Sequence, residues 1–181
     1  MKKRSKIWGL IPGLMLWLLF SVVLWGSVFV RITDAPPENK ITLYIDAQVP
    51  GDTKLSVALE TVGAEGIRMV QARGFSYAMF DGKPLETADL LILPASHVET
   101  YRDWLSPLPE EMAALGECLK IDGESWGLKI YDLASHSGAA KDYIQYEAVE
   151  TPEDYYLFFG ASSVHREDGK AALYAKKLLE L

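Results

Sequence analysis

Ile121-Asp122-Gly123-Glu124-Ser125-Trp126-Gly127-Leu128-Lys129-Ile130-Tyr131-Asp132, IDGESWGLKIYD, admits two readings that lead to different folds. GESWG fits the Gly-x-Ser-x-Gly pattern of a nucleophile elbow, where a serine stands between a buried strand and the N-terminus of a helix whose amides help hold an oxyanion. Together with CLKI (118–121) in front of it, the same stretch is two apolar runs separated by Asp-Gly, the strongest short-range signal of a β-hairpin. After Ser125 the chain runs on as WGLKIYD, a strand and not a helix, and no Gly-rich oxyanion segment lies upstream. The glycines therefore serve a turn. Asp132 or Asp154 and His165 do come later in the hydrolase order Ser, Asp, His, so a membrane-tethered serine hydrolase using Ser125 is the alternative function.

Upstream of the hairpin, ITLYID (41–46) is a strand by its β-branched and apolar content, and the Pro-Gly-Asp after Val49 is turn chemistry. Asp52 opens a helix with Leu55, Ala58, Leu59 and Val62 on one face, ending near Gly63 or Gly66, and IRMVQA (67–72) is a second strand. Strand, helix and strand in this order make a right-handed βαβ unit with parallel strands. A short helix or turn is expected around FSYAMF (75–80), broken by DGKP (81–84). ADLLILP (88–94) is apolar almost throughout, as a strand buried on both faces must be. HVETYRDWL (97–105) reads as helical. Downstream, residues 133–154 form a polar loop with a short helix, YYLFFGASSV (155–164) an aromatic strand, and 167–181 a closing helix. The expected class is α/β, a single mostly parallel sheet with flanking helices, preceded by one transmembrane helix.

That helix is expected over residues 7–32, behind a cytoplasmic N-terminus of residues 1–6. Ile7 to Val30 is 24 residues without a charge. As a helix it would reach ~36 Å, enough for a hydrocarbon core of ~30 Å. Lys2, Lys3, Arg4 and Lys6 precede it against Arg31 after it, which directs the N-terminus inward and the rest outward, at the cell membrane. A cleaved secretory signal would need a site such as Thr33-Asp34-Ala35, which Pro36 obstructs. Lipidation is excluded because the one cysteine is Cys118, which reads as a small buried apolar residue and permits no internal disulfide. TDAPPENK (33–40) is a stiff linker, and residues 41–181 make one domain. Without those four lysines and arginines and Arg31, 13 cations face 25 acids, a balance of −12 that repels nucleic acid and anionic headgroups.

The order of elements and several phrases resemble the first lobe of the extracellular solute-binding proteins of ABC transporters, a type II periplasmic-binding-protein-like fold. ITLYID, IRMVQA, TADLLILP, the "Leu-x-Pro" of SPLP, the Asp-Gly hairpin before Trp126-Gly127, and the late strand, serine turn and helix of residues 155–181 are similar to that family's phrases. The likeness covers most of residues 41–181 but departs in one respect: only about twenty residues, from Asp132 to Glu153, stand where a second lobe would be. It implies a single lobe that binds and does not catalyse, with a transporter component or a second-lobe protein as partner and a small polar solute held weakly.

Fold logic then places ligand contacts outside the carboxyl ends of the parallel strands. The candidates are Asp46 and Gln48 after the first strand, Arg73, Phe75 and Tyr77 after the second, Ser96 and His97 after the third, and Tyr131 and Asp132 after the hairpin. An open half-cleft would leave Phe75, Tyr77, His97 and Tyr131 partly exposed. No cofactor or metal is expected: His97, His136 and His165 are far apart without paired ligand spacing, and no phosphate loop is present.

Overall fold

The computed structural model describes residues 11–25, 34–50, 52–75 and 83–181. The chain divides into two compact units, Met1–Pro36 and Pro37–Leu181.

In the first unit, α1 (Ile11–Leu24) is a 14-residue helix whose Leu, Trp, Phe, Met and Val side chains are exposed on every face. At 1.5 Å per residue it is ~21 Å long. Among the described residues no helix is long and apolar enough to cross a membrane, and both ends of the span expected over 7–32 lie outside them.

The second unit is built on one sheet. β1 (Lys40–Ile45), β2 (Met69–Gly74), β3 (Leu90–Pro94), β8 (Tyr155–Gly160), β6 (Glu124–Asp132) and β5 (Cys118–Ile121) lie in the order β2-β1-β3-β8-β6-β5. Two short strands, β4 (Leu105–Ser106) and β7 (Ser137–Gly138), pair with β8 and β6. The pairs β1–β2 and β1–β3 are parallel, and the expected α2 (Asp52–Glu60) crossover joins β1 to β2. From β3 onward the pairs are antiparallel, because β8 returns against β3 and β6 is the second arm of a hairpin. The α/β expectation of one sheet with flanking helices thus holds, its parallel part being β2-β1-β3.

Side chains alternate across this sheet as the pleat requires. Ile41, Leu43, Leu90, Ile92, Tyr155, Leu157 and Phe159 face a core closed by Leu55 and Leu59 of α2 and by Ala171, Tyr174, Ala175 and Leu178 of α6 (Lys170–Leu179). Tyr44, Leu91, Leu93, Tyr156 and Phe158 face a second core with Leu85 of α3 (Lys83–Glu86) and Val98 of α4 (Val98–Tyr101). Both faces are covered, which is why β3 and β8 are buried at every position.

The hairpin turn matches its sequence. Asp122 and Gly123 have φ of 52° and 90°, the two positive values of a type I′ turn. Strand β8 stops at Gly160, four residues before the expected end, where a Cβ would lie 1.9 Å from the Ala88 carbonyl oxygen. The second strand begins at Met69 instead of Ile67, because the chain is still turning through Gly66 at φ +83°. Of FSYAMF only Phe75 is described. Part of the expected linker belongs to the folded unit: Pro37–Asn39 is a 3-10 turn, and the buried His165 ring meets the Pro37 carbonyl through Nε2 at 3.1 Å. Residues 133–154 are turns and the short β7 instead of a loop with a helix, and they fold back so that Gln48 and Gln145 form an antiparallel bridge. Cys118 is half-buried, its thiol 3.5 Å from the Ala113 carbonyl of α5 (Glu110–Ala113).

Candidate functional site at the carboxyl edge

β1 has its partners on both sides, β2 reached first and β3 second, so the order of the parallel strands reverses between β1 and β3. Such a switch point leaves a crevice at the carboxyl ends. Here Asp46 leaves β1 with its amide donating to the Ile92 carbonyl at 2.9 Å. Its Oδ2 accepts from His97 Nδ1 at 2.5 Å. The His97 side chain is half exposed. Tyr101 lies against Phe75 edge-on at 5.3 Å and 6.4 Å from the His97 ring. Burial, and next the charge of Asp46, push its hydroxyl pKa up.

Glu153 closes the next step along the edge. Its two carboxylate oxygens accept from the Ser96 amide at 2.8 Å and the Ser96 hydroxyl at 2.6 Å, while Ala95 donates to the Asp154 carbonyl at 3.1 Å. Lys129 centres the adjoining cluster, with Nζ 2.8 Å from Asp154, 2.9 Å from Asp132 and 3.4 Å from Glu117. Hydrogen bonds to Asp154 and then Asp132 hold this ammonium above the usual lysine range, against its desolvation. Asp132 is held down at about 2 by the hydrogen bond from the Ser135 hydroxyl and next by that from Lys129.

Tyr131 is not on the open edge, contrary to expectation. A bulge between Lys129 and Tyr131 turns its ring into the core, where it is 2% exposed. The folded-back loop covers it: Tyr146 stacks on Tyr131 at 4.6 Å and 14°, and its hydroxyl donates to the Ala139 carbonyl at 2.9 Å. The Tyr131 hydroxyl donates to Glu147, which also accepts from His136 Nδ1 at 2.8 Å. Burial first, then Glu147, push the Tyr131 phenol up to about 12. The loop therefore occupies space that an open half-cleft would have left to solvent.

Between the end of β1 and this loop lies a cavity of about 460 Å³ lined by Asp46, Gln48, Val49, Phe75, Ala148 and Val149, among others. Of the sequence candidates, Asp46, Gln48 and Phe75 line it, and His97 grips Asp46 from outside. Ser96 and Asp132 stand further along the same edge, committed to Glu153 and to Lys129 and Ser135. Arg73 stands apart, on a groove between β2 and α2 with Thr53 and Ser56. Tyr77 lies outside the described residues. Sequence reasoning missed Glu153, Tyr146, Ala148 and Val149; the signal for Glu153 was an acidic pair directly before an aromatic strand.

Ser125 is the second residue of β6, just past the turn, and its carbonyl accepts from the Leu108 amide at 2.8 Å. Each histidine ring is bonded to a carboxylate of its own, His97 to Asp46, His136 to Glu147 and His165 to Asp168. Among the described residues no group of three or more His, Cys, Asp or Glu could hold a metal ion.

No family model, curated protein or solved structure matches the chain. The resemblance to solute-binding proteins is therefore a likeness of local sequence phrases, and the switch-point cavity is the feature that bears on function.

Proposed function

We propose that the chain is a membrane-anchored, extracytoplasmic binding protein, similar to one lobe of an ABC-transporter solute-binding protein, that holds a small solute at the carboxyl edge of its sheet and catalyses nothing. The observation that carries this is the cavity at the switch point, of a size that small-molecule sites have, with one carboxylate, one amide and one aromatic ring in a wall of mixed polar and apolar surface. The turns of residues 133–154 stand in for a second lobe, and a transporter component or a separate second-lobe protein is the partner that would enclose the solute. The uncharged run from Ile7 to Val30, behind four cations, supplies the anchor and its orientation.

Calorimetry on the full chain in non-ionic detergent micelles, against a panel of sugars, amino acids and small amines, tests this. A wall this open should bind at about millimolar, near −4 kcal/mol. Phe75→Ala should abolish the heat. A micromolar dissociation constant for the monomer would contradict the need for a partner surface, and binding unaffected by Phe75→Ala would place the site elsewhere.

A further inference from the structure

We infer that the cavity at the end of β1 takes a small organic cation, a compact ammonium on an apolar body, in preference to a sugar or an anion. This rests on the edge being a solute site and names the class of solute.

The walls decide between the classes. Val49, Phe75, Ala148 and Val149 give apolar surface, and among the residues lining the cavity the polar side chains are Asp46 and Gln48. A sugar carries a hydroxyl on nearly every carbon, and each one taken from water needs a partner. For these the described wall offers two polar side chains, its other polar surface being backbone fixed in direction. An anion would face the Asp46 carboxylate, with no cationic side chain among the described residues of the wall. The one cation of the neighbouring cluster, Lys129, is already bonded to Asp154, Asp132 and Glu117.

An ammonium meets the opposite conditions. Asp46 supplies a carboxylate whose one described side-chain partner is His97, a single ring nitrogen on Oδ2. Phe75 supplies an aromatic ring at the wall, whose face would attract a cation through its quadrupole. Glu153 and Asp154 stand on the same edge just before β8, and the chain beyond Arg31 carries a balance of −12, so the potential at this edge is negative and gathers cations. The apolar part of the wall, Val49, Phe75, Ala148 and Val149, can take the body of such a solute from water.

Choline and its uncharged carbon analogue 3,3-dimethylbutan-1-ol have almost the same shape and differ in charge. Each is titrated, alongside glucose and acetate, into the isotopically labelled full chain in non-ionic detergent micelles, with the amides of Gln48, Phe75 and Ala148 followed by NMR. Choline should move these amides saturably and bind at least about tenfold more tightly than the alcohol, with glucose and acetate weaker still. Asp46→Asn should remove most of that preference for charge. Phe75→Leu, which keeps the apolar bulk, should weaken choline while leaving the alcohol nearly unchanged. Equal binding of choline and the alcohol, or tighter binding of glucose or acetate, overturns the cation assignment while the edge stays a binding site. Should none of the four probes move these amides, the assignment and the edge site both fall.

Discussion

Truncating Tyr146 to alanine should cost the fold several kcal/mol and empty the site at the same time. The ring is 2% exposed, stacks on Tyr131 at 4.6 Å, tilts against Tyr155 at 5.1 Å, and its hydroxyl donates to the Ala139 carbonyl at 2.9 Å. Removing a buried aromatic ring leaves a cavity that its neighbours fill only in part, which typically costs about 3–5 kcal/mol. Tyr146→Phe removes only the hydroxyl bond and should cost about 1 kcal/mol. The difference between the two variants isolates the stacking and burial. Urea unfolding of the full chain in detergent micelles, read by near-ultraviolet circular dichroism, measures both. Ala148 and Val149 lie two and three residues beyond this anchor and line the cavity, so Tyr146→Ala should also abolish solute binding under conditions where the sheet remains folded. A cost below about 1 kcal/mol for the alanine variant would refute the reasoning, because a ring so placed cannot be dispensable if the loop belongs to the core.

Gly123→Val should destabilise the hairpin by about 1–2 kcal/mol, since a β-branched residue is forced to positive φ there, whereas Ser125→Ala should stay within about 0.5 kcal/mol and change no hydrolytic activity; loss of ester hydrolysis specific to Ser125→Ala would restore the nucleophile reading. Asp132 and Asp168 are held at about 2 against an ordinary 3.8, Asp132 through hydrogen bonds from Ser135 and then Lys129, and Asp168 despite its burial, through the amide and ammonium of Lys170. Both contribute stability that is fully present above the ordinary value and lost as the pH falls through the lowered one, so the urea midpoint should decline from about pH 4 towards pH 2, and a midpoint that rises on acidification over that range would contradict the pairing. Protease added to intact spheroplasts should digest the chain after Arg31 and leave a short membrane fragment; protection of the full chain would reverse the orientation.

How much of this fold is legible in the sequence depends on how far each interaction reaches along the chain. ADLLILP and YYLFF are legible as buried strands because burial on both faces leaves almost only apolar residues, and Asp-Gly between two apolar runs announces its turn locally. Asp46, Gln48 and Phe75 are legible because they stand just past strand ends, and parallel strands bring such ends together. The rest depends on contacts that periodicity does not carry. Glu153 reaches Ser96 across 57 positions, and Gln145 pairs with Gln48 through a stretch whose composition suggests only a polar loop. Tyr131 misleads for a definite reason. Strict alternation from Leu128 and Ile130 puts Tyr131 on the opposite face, and the bulge after Lys129 adds the residue that turns it inward. The loop held by Tyr146, on which the whole site turns, is thus the part that sequence alone conceals.

Whether residues 133–154 close the carboxyl edge is read most directly from amide hydrogen exchange at Gln145, whose N–H donates to the Gln48 carbonyl at 2.8 Å. If the loop is seated on the sheet edge, this amide should exchange far more slowly than in an unstructured peptide, and more slowly again when the cavity is filled by a bound solute. Exchange of Gln145 at the free-peptide rate while the amides of β1 and β3 remain protected would show the edge to be open and the cavity unformed.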